Sequence, residues 1–134
     1  PPDLTDWLGR YYTGTPDALN IDADGDGFTT LEEFAANTNP TRADARPPLI
    51  AIPGSSGSAP HLDFHYRRWI GGNNLTYRVR GSDDLTTWTS PNVPLTELPN
   101  PADNGDGTET VTVRVTFPPG TRQGFVRLEI EQIP

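Results

Sequence analysis

The chain has 134 residues, a net charge of −8, and no Cys, Met or Lys. These absences exclude disulfides, thiolate metal sites, Cys nucleophiles, Schiff-base lysines and lysine isopeptide cross-links, and the negative charge argues against nucleic acid or anionic lipid as a partner. No apolar run approaches the roughly 20 residues of a membrane span, while 13 Gly and 15 Pro call for many turns and short strands.

At the N-terminus, "DLTDWLGRYY" places Leu4, Trp7, Leu8, Tyr11 and Tyr12 at helical spacing, which predicts a helix over 3–12 with Asp3 or Thr5 as its N-cap. "TGTPDALN" reads as a turn. "LEEFAAN" then predicts a second short helix from Leu31, with Leu31, Phe34 and Ala35 on one side and Asn37 as the C-cap. Residues 1–46 carry nine acids and three arginines, and residues 47–134 carry nine acids and seven arginines, so the acidity lies mostly in the first third. A boundary at residues 44–48 fits this change and divides the chain into a segment 1–46 and a segment 47–134. The Pro-Pro start without Met reads as a piece of a longer protein, in keeping with the missing signal peptide.

Between the two predicted helices lies "DADGDGFTTLEE", Asp22 to Glu33. Carboxylates this close repel one another unless a cation joins them. Calcium takes six to eight oxygens, and in a 12-residue EF-hand loop they come from positions 1, 3, 5, 7, 9 and 12, with Gly at 6 for the sharp turn. Those positions are Asp22, Asp24, Asp26, Phe28 through its carbonyl, Thr30 directly or through water, and Glu33, and position 6 is Gly27. The pattern D-x-[DN]-x-[DN]-G-x₅-E is met at every defined place. Magnesium suits the loop less well, because it keeps its water and demands a tight octahedron. The cofactor expected is therefore Ca²⁺, in a helix–loop–helix segment.

"RPPLIAIPGSSGSAP" predicts a short strand at Leu49–Ile52 followed by a flexible Gly/Ser stretch. Alternation then takes over. Leu62, Phe64 and Tyr66 oppose His61, Asp63 and His65; Leu75, Tyr77 and Val79 oppose Thr76, Arg78 and Arg80. Val111, Val113, Val115 and Phe117 oppose Thr110, Thr112, Arg114 and Thr116; Val126, Leu128 and Ile130 oppose Arg127 and Glu129. Period two with one polar face predicts antiparallel strands over a shared core. The fold expected is mainly β, a small antiparallel β-sandwich preceded by the helix–calcium loop–helix segment, with Trp88 as a plug of the core. A faint echo between "GTPDALNID" and "NTNPTRADA" reads as the end of a repeat array.

"DADGDGFTTLEEFAANTNPTRAD" resembles the calcium segments of bacterial thrombospondin type 3-like and dockerin-like repeats, which often precede β-sandwich domains in secreted enzymes and surface proteins. "LTYRVRGSDDLTTWTS", "DNGDGTETVTVRV" and "GFVRLEIE" resemble C-terminal modules of large exported proteins of Verrucomicrobia and Planctomycetes. Together the likenesses cover most of residues 14–131. They imply an exported, non-catalytic bacterial module, secreted or at the cell surface. Only one complete aspartate loop is present, where a dockerin has two.

Other groups carry less. "DNGDG" (Asp103–Gly107) reads as a hairpin turn, since the place of a closing acid is taken by Arg114. His61, Asp63, His65 and Arg67 share one strand face and read as a solvated surface. There is no G-x-S-x-G, and the adjacent Asp83 and Asp84 point to opposite sides of a strand, so no enzyme is expected. Tyr66 and Tyr77 face the core by alternation, and Trp69, beside "IGGNN", is the aromatic expected at the surface. Asn74-Leu75-Thr76 is a glycosylation sequon, idle in a bacterial protein. The function expected is a calcium-stabilised accessory module, monomeric as an isolated domain and serving stability, spacing or surface attachment. The competing reading is a carbohydrate-binding module on a polysaccharide-active enzyme. A mostly Arg/Thr face (Arg78, Arg80, Arg114, Arg127) favours the first, though arginines also suit acidic polysaccharide.

Overall fold

The computed structural model describes residues 2–11, 27–42, 47–84 and 95–133. Within them the chain is mainly β, with two antiparallel sheets and two short helices, α1 (Leu4–Leu8) and α2 (Thr30–Ala36). The strands are β1 (Ile50–Ser56), β2 (Ala59–Trp69), β3 (Leu75–Ser82), β4 (Leu95–Glu97), β5 (Ala102–Asp103), β6 (Thr108–Thr116) and β7 (Phe125–Gln132). One sheet runs β1-β2-β6-β4, with β5 also on β6; the other is β3-β7.

Alternation sets which face is buried. In the β2–β6 register Leu62, Phe64 and Tyr66 lie opposite Val115, Val113 and Val111. In β3–β7, Tyr77 and Val79 lie opposite Ile130 and Leu128. These two apolar faces join in one buried cluster, closed at an end by Phe117, so the sheets pack as a sandwich. At about 1.5–3 kcal/mol per fully buried Val or Phe, this cluster is the main source of stability in the β part.

A second cluster holds the helices on the sandwich. Trp7, Leu8, Phe34 and Ala35 are buried together with Trp69 and Leu75, and Tyr77 and Ile130 pack against them. Tyr77 and Ile130 thus bear on the helices while lying in the register that forms the sandwich core.

Several expectations need correction. The first helix is five residues long, because Gly9 takes its C-cap; Tyr12 lies outside the described residues. The Gly/Ser stretch is strand and hairpin: β1 continues to Ser56 and turns through Gly57 (φ +63) and Ser58 into β2, since a two-residue hairpin favours positive φ. Trp69 is 1 % exposed, because β2 extends to it and the cluster that contains α2 covers it. The arginines form two faces: Arg114 pairs with Asp63 on the larger sheet, and Arg78, Arg80 and Arg127 lie on the outer face of β3–β7. Trp88, Asp44 to Arg46 and the first echo segment lie outside the described residues. Among those described, no helix is long and apolar enough to cross a membrane.

Candidate metal site

The predicted ligands Asp22, Asp24 and Asp26 lie outside the described residues. The described half of the loop begins at Gly27, whose φ of +91 is a conformation that glycine adopts without strain. Open space surrounds the position a Cβ would take there, so backbone conformation and not crowding asks for glycine. Phe28 follows, half-buried, beside Ala35, Leu128 and Ile130 in a small apolar crevice. Thr29 then starts the helix: its hydroxyl accepts from the Glu32 amide at 3.2 Å, and Glu32 Oε1 accepts from the Thr29 amide at 3.0 Å. This capping box satisfies two otherwise open backbone donors. The T-x-x-E signal for it stood in the sequence at Thr29–Glu32 and is the cue for where the helix starts.

Thr30 is buried at the head of α2, and Glu33 is buried in its first turn at 1 % exposure. The Thr38 hydroxyl donates to Glu33 Oε2. A carboxylate so buried, one helical turn past a sharp glycine turn and at loop position 12, is the donor type a hard cation takes. Of the predicted ligand positions, Phe28, Thr30 and Glu33 lie within the described residues, and their carbonyl, hydroxyl and carboxylate are oxygen donors, the type calcium takes. When bound, calcium would supply positive charge to the four carboxylates Asp22, Asp24, Asp26 and Glu33.

Behind Glu33, α2 is gripped by the sandwich. Trp69 Nε1 donates to the Phe34 carbonyl at 2.8 Å, and the Tyr77 hydroxyl donates to the Ala35 carbonyl at 2.6 Å. Tyr77 Oη also accepts from the Trp69 amide at 3.2 Å. Burial pushes the Tyr77 phenol above its ordinary value, so it stays a donor at any working pH. Helix ends leave carbonyls unpaired; the Tyr77 hydroxyl satisfies that of Ala35, and the Trp69 indole adds a second bond to that of Phe34, which also accepts from the Asn37 amide at 3.0 Å.

Asn37 ends the helix in the left-handed region, with φ 54 and ψ 50. Its Oδ1 accepts from Trp7 Nε1 at 2.9 Å, and its Nδ2 donates to Asp106 Oδ2 at 3.3 Å. One side chain thus joins α1, α2 and the β5–β6 turn. Asn37 was expected as a cap; these further partners have no local signal in the sequence.

The other acidic and histidine groups are engaged locally. In the Asp103–Gly107 turn, Asp103 Oδ1 accepts from the Gly105 amide at 2.8 Å and Asp106 Oδ1 from the Thr108 amide at 3.0 Å, which are hairpin contacts as expected. Asp63 holds Arg114 through two bonds of 2.8 and 3.0 Å, and His65 Nδ1 meets the Thr112 hydroxyl at 2.8 Å. Among the described residues no group of three or more His, Cys, Asp or Glu is placed to hold a metal. A cleft of about 440 Å³ beside Gly71, Gly72 and Thr76 has Arg68 and Glu109 as its charged groups, and they bond each other at 3.1 Å. No family model, curated protein or solved structure matches the chain.

Proposed function

We propose that the chain is a non-catalytic accessory module, stabilised by calcium at Asp22, Asp24, Asp26, Phe28, Thr30 and Glu33, within a larger exported bacterial protein. Its helix–loop–helix segment would be ordered by the ion, and its work would be stability, spacing or attachment at the cell surface. The observation that carries the reading is the complete aspartate loop pattern ending in Glu33, a carboxylate buried on a helix whose carbonyls are held by Trp69 and Tyr77. Isothermal titration of the chelated chain with calcium tests it. About one site per chain is expected, lost in Asp22→Ala and weakened in Glu33→Gln; no heat in the unsubstituted chain would refute it. Glycosidase and esterase substrate panels should show no turnover.

The second reading, a carbohydrate-binding module, is favoured by one observation. Arg80 and Arg127 are direct cross-strand partners on the outer face of β3–β7, an arrangement of like charges that costs stability. Glu129 joins them at 2.8 and 3.1 Å, and the exposed Arg78 lies opposite it. Guanidinium forks suit carboxylate or sulfate groups. Retention on an immobilised polyuronate that weakens in Arg78→Gln/Arg80→Gln supports acidic polysaccharide as the partner; equal retention of both proteins speaks against it.

A further inference from the structure

We propose that Thr38 is a positioning residue for the calcium site, its hydroxyl fixing the carboxylate of Glu33. The inference rests on the calcium reading above and adds a residue that lies outside the twelve-residue loop and its sequence pattern. The Thr38 side chain is buried, and its Oγ–H donates to Glu33 Oε2. The Thr38 amide also donates to the Glu33 carbonyl at 2.9 Å, so Thr38 is tied to Glu33 by backbone as well as side chain.

This return contact depends on Asn37. A residue in ordinary helical conformation at 37 would carry Thr38 onward around the helix. The left-handed conformation of Asn37 ends α2 and turns the chain back, and Asn37 is anchored by Trp7 and Asp106. Thr38 therefore sits on a fixed backbone.

The choice of a hydroxyl suits a cation site. It orients a carboxylate with a hydrogen bond and leaves the negative charge for the ion, where Lys or Arg would compete with it. Each carboxylate oxygen has two lone-pair sites, so Oε2 can accept from Thr38 and still face a cation. A side chain held in advance loses less rotamer freedom on binding. Hydrogen-bond partners of ligating carboxylates typically contribute about 10–100-fold to metal affinity.

The test uses the full chain, stripped by chelator and titrated with calcium chloride, as wild type, Thr38→Val and Thr38→Ser. Valine keeps the shape and removes the hydroxyl; serine keeps the hydroxyl. We expect Thr38→Val to bind calcium about 10–100-fold more weakly, and Thr38→Ser to recover most of the loss. Melting midpoints with and without calcium separate positioning from a purely structural role. A structural role lowers both midpoints of Thr38→Val alike, whereas positioning shrinks the rise that calcium produces. Wild-type affinity in Thr38→Val, affinity in Thr38→Ser as weak as in Thr38→Val, or an unchanged calcium-induced rise overturns the proposal. If Thr38→Val does not fold in chelator, Thr38→Ala is compared with Thr38→Ser, and equal affinities overturn it. A wild type that takes up no calcium refutes the calcium reading and this proposal together, whereas a binding wild type with an equally binding Thr38→Val refutes this proposal alone.

Discussion

Trp69 shows how one side chain can join two parts of a chain. Its ring is buried against Phe34, and its indole N–H donates to the Phe34 carbonyl. Trp69→Phe keeps most of the apolar volume and removes that donor. The Phe34 carbonyl keeps its bond from the Asn37 amide, so we expect a loss of about 0.5–1.5 kcal/mol, the net worth of one hydrogen bond, read as a lower urea midpoint at unchanged slope. Asp63 gives a pH-dependent case. The hydrogen bond from Arg114 outweighs the upward push of burial and holds the Asp63 carboxyl below the ordinary carboxylate value. A folded-state pKa below the unfolded one contributes stability above the unfolded value, about pH 4, that is lost as pH falls through the folded value. Asp63→Asn should therefore be less stable than wild type at pH 7, and the gap should close in acid. Urea midpoints at the two pH values check this, and an equal gap at both would show that the ion pair is not its source.

At the scale of elements, α2 is the piece on which the account turns. Seven residues are too few for a helix to persist alone in water, so its order must come from its cap, its packing and the bonds to Trp69 and Tyr77. Asn37→Gly keeps the left-handed cap and loses the contacts to Trp7 and Asp106; Asn37→Ala loses both. We expect thermal midpoints to fall in the order wild type, Gly, Ala, with the two variants separated by about 1 kcal/mol. An alanine variant as stable as the glycine one would show that the left-handed conformation carries no cost here. The strands β2, β3, β6 and β7 were legible because Val, Leu, Phe and Tyr alternate with Thr, Arg and Glu. The start of α2 was legible as an apolar period. The true length of β1 was not, because strand and hairpin there are built from Ile, Pro, Gly and Ser without alternation, and Ile50 and Ile52 stay about half exposed on an edge strand. The short β4 and β5 take their order from pairing with β6, which no local pattern records. The burial of Trp69 depends on a helix more than 30 residues earlier, and so does the contact of Asn37 with Asp106. Of the candidate site, the aspartate spacing was legible and Thr38 was not, because its contact with Glu33 requires the chain reversal at Asn37.

At the scale of the whole molecule, the helices and the sandwich share Tyr77 and Ile130 as neighbours of the second cluster. Chelation should therefore reach beyond the loop. We expect amide exchange to rise in residues 3–11 and 27–40 and at Trp69 and Leu75, while Leu62, Phe64, Val113 and Val115 in the centre of the β2–β6 pairing stay protected. Uniform protection with and without chelator would separate the helices from the ion. The most direct test of the calcium account is the thermal unfolding midpoint of the chelated chain against the same chain with calcium at about 100 times its dissociation constant. Binding to the folded state alone then adds about 2.7 kcal/mol, which for a chain of this length raises the midpoint by roughly 10 °C. A rise of that order, reduced in Glu33→Gln and absent in Asp22→Ala, is the result the account predicts; identical midpoints in calcium and in chelator would contradict it.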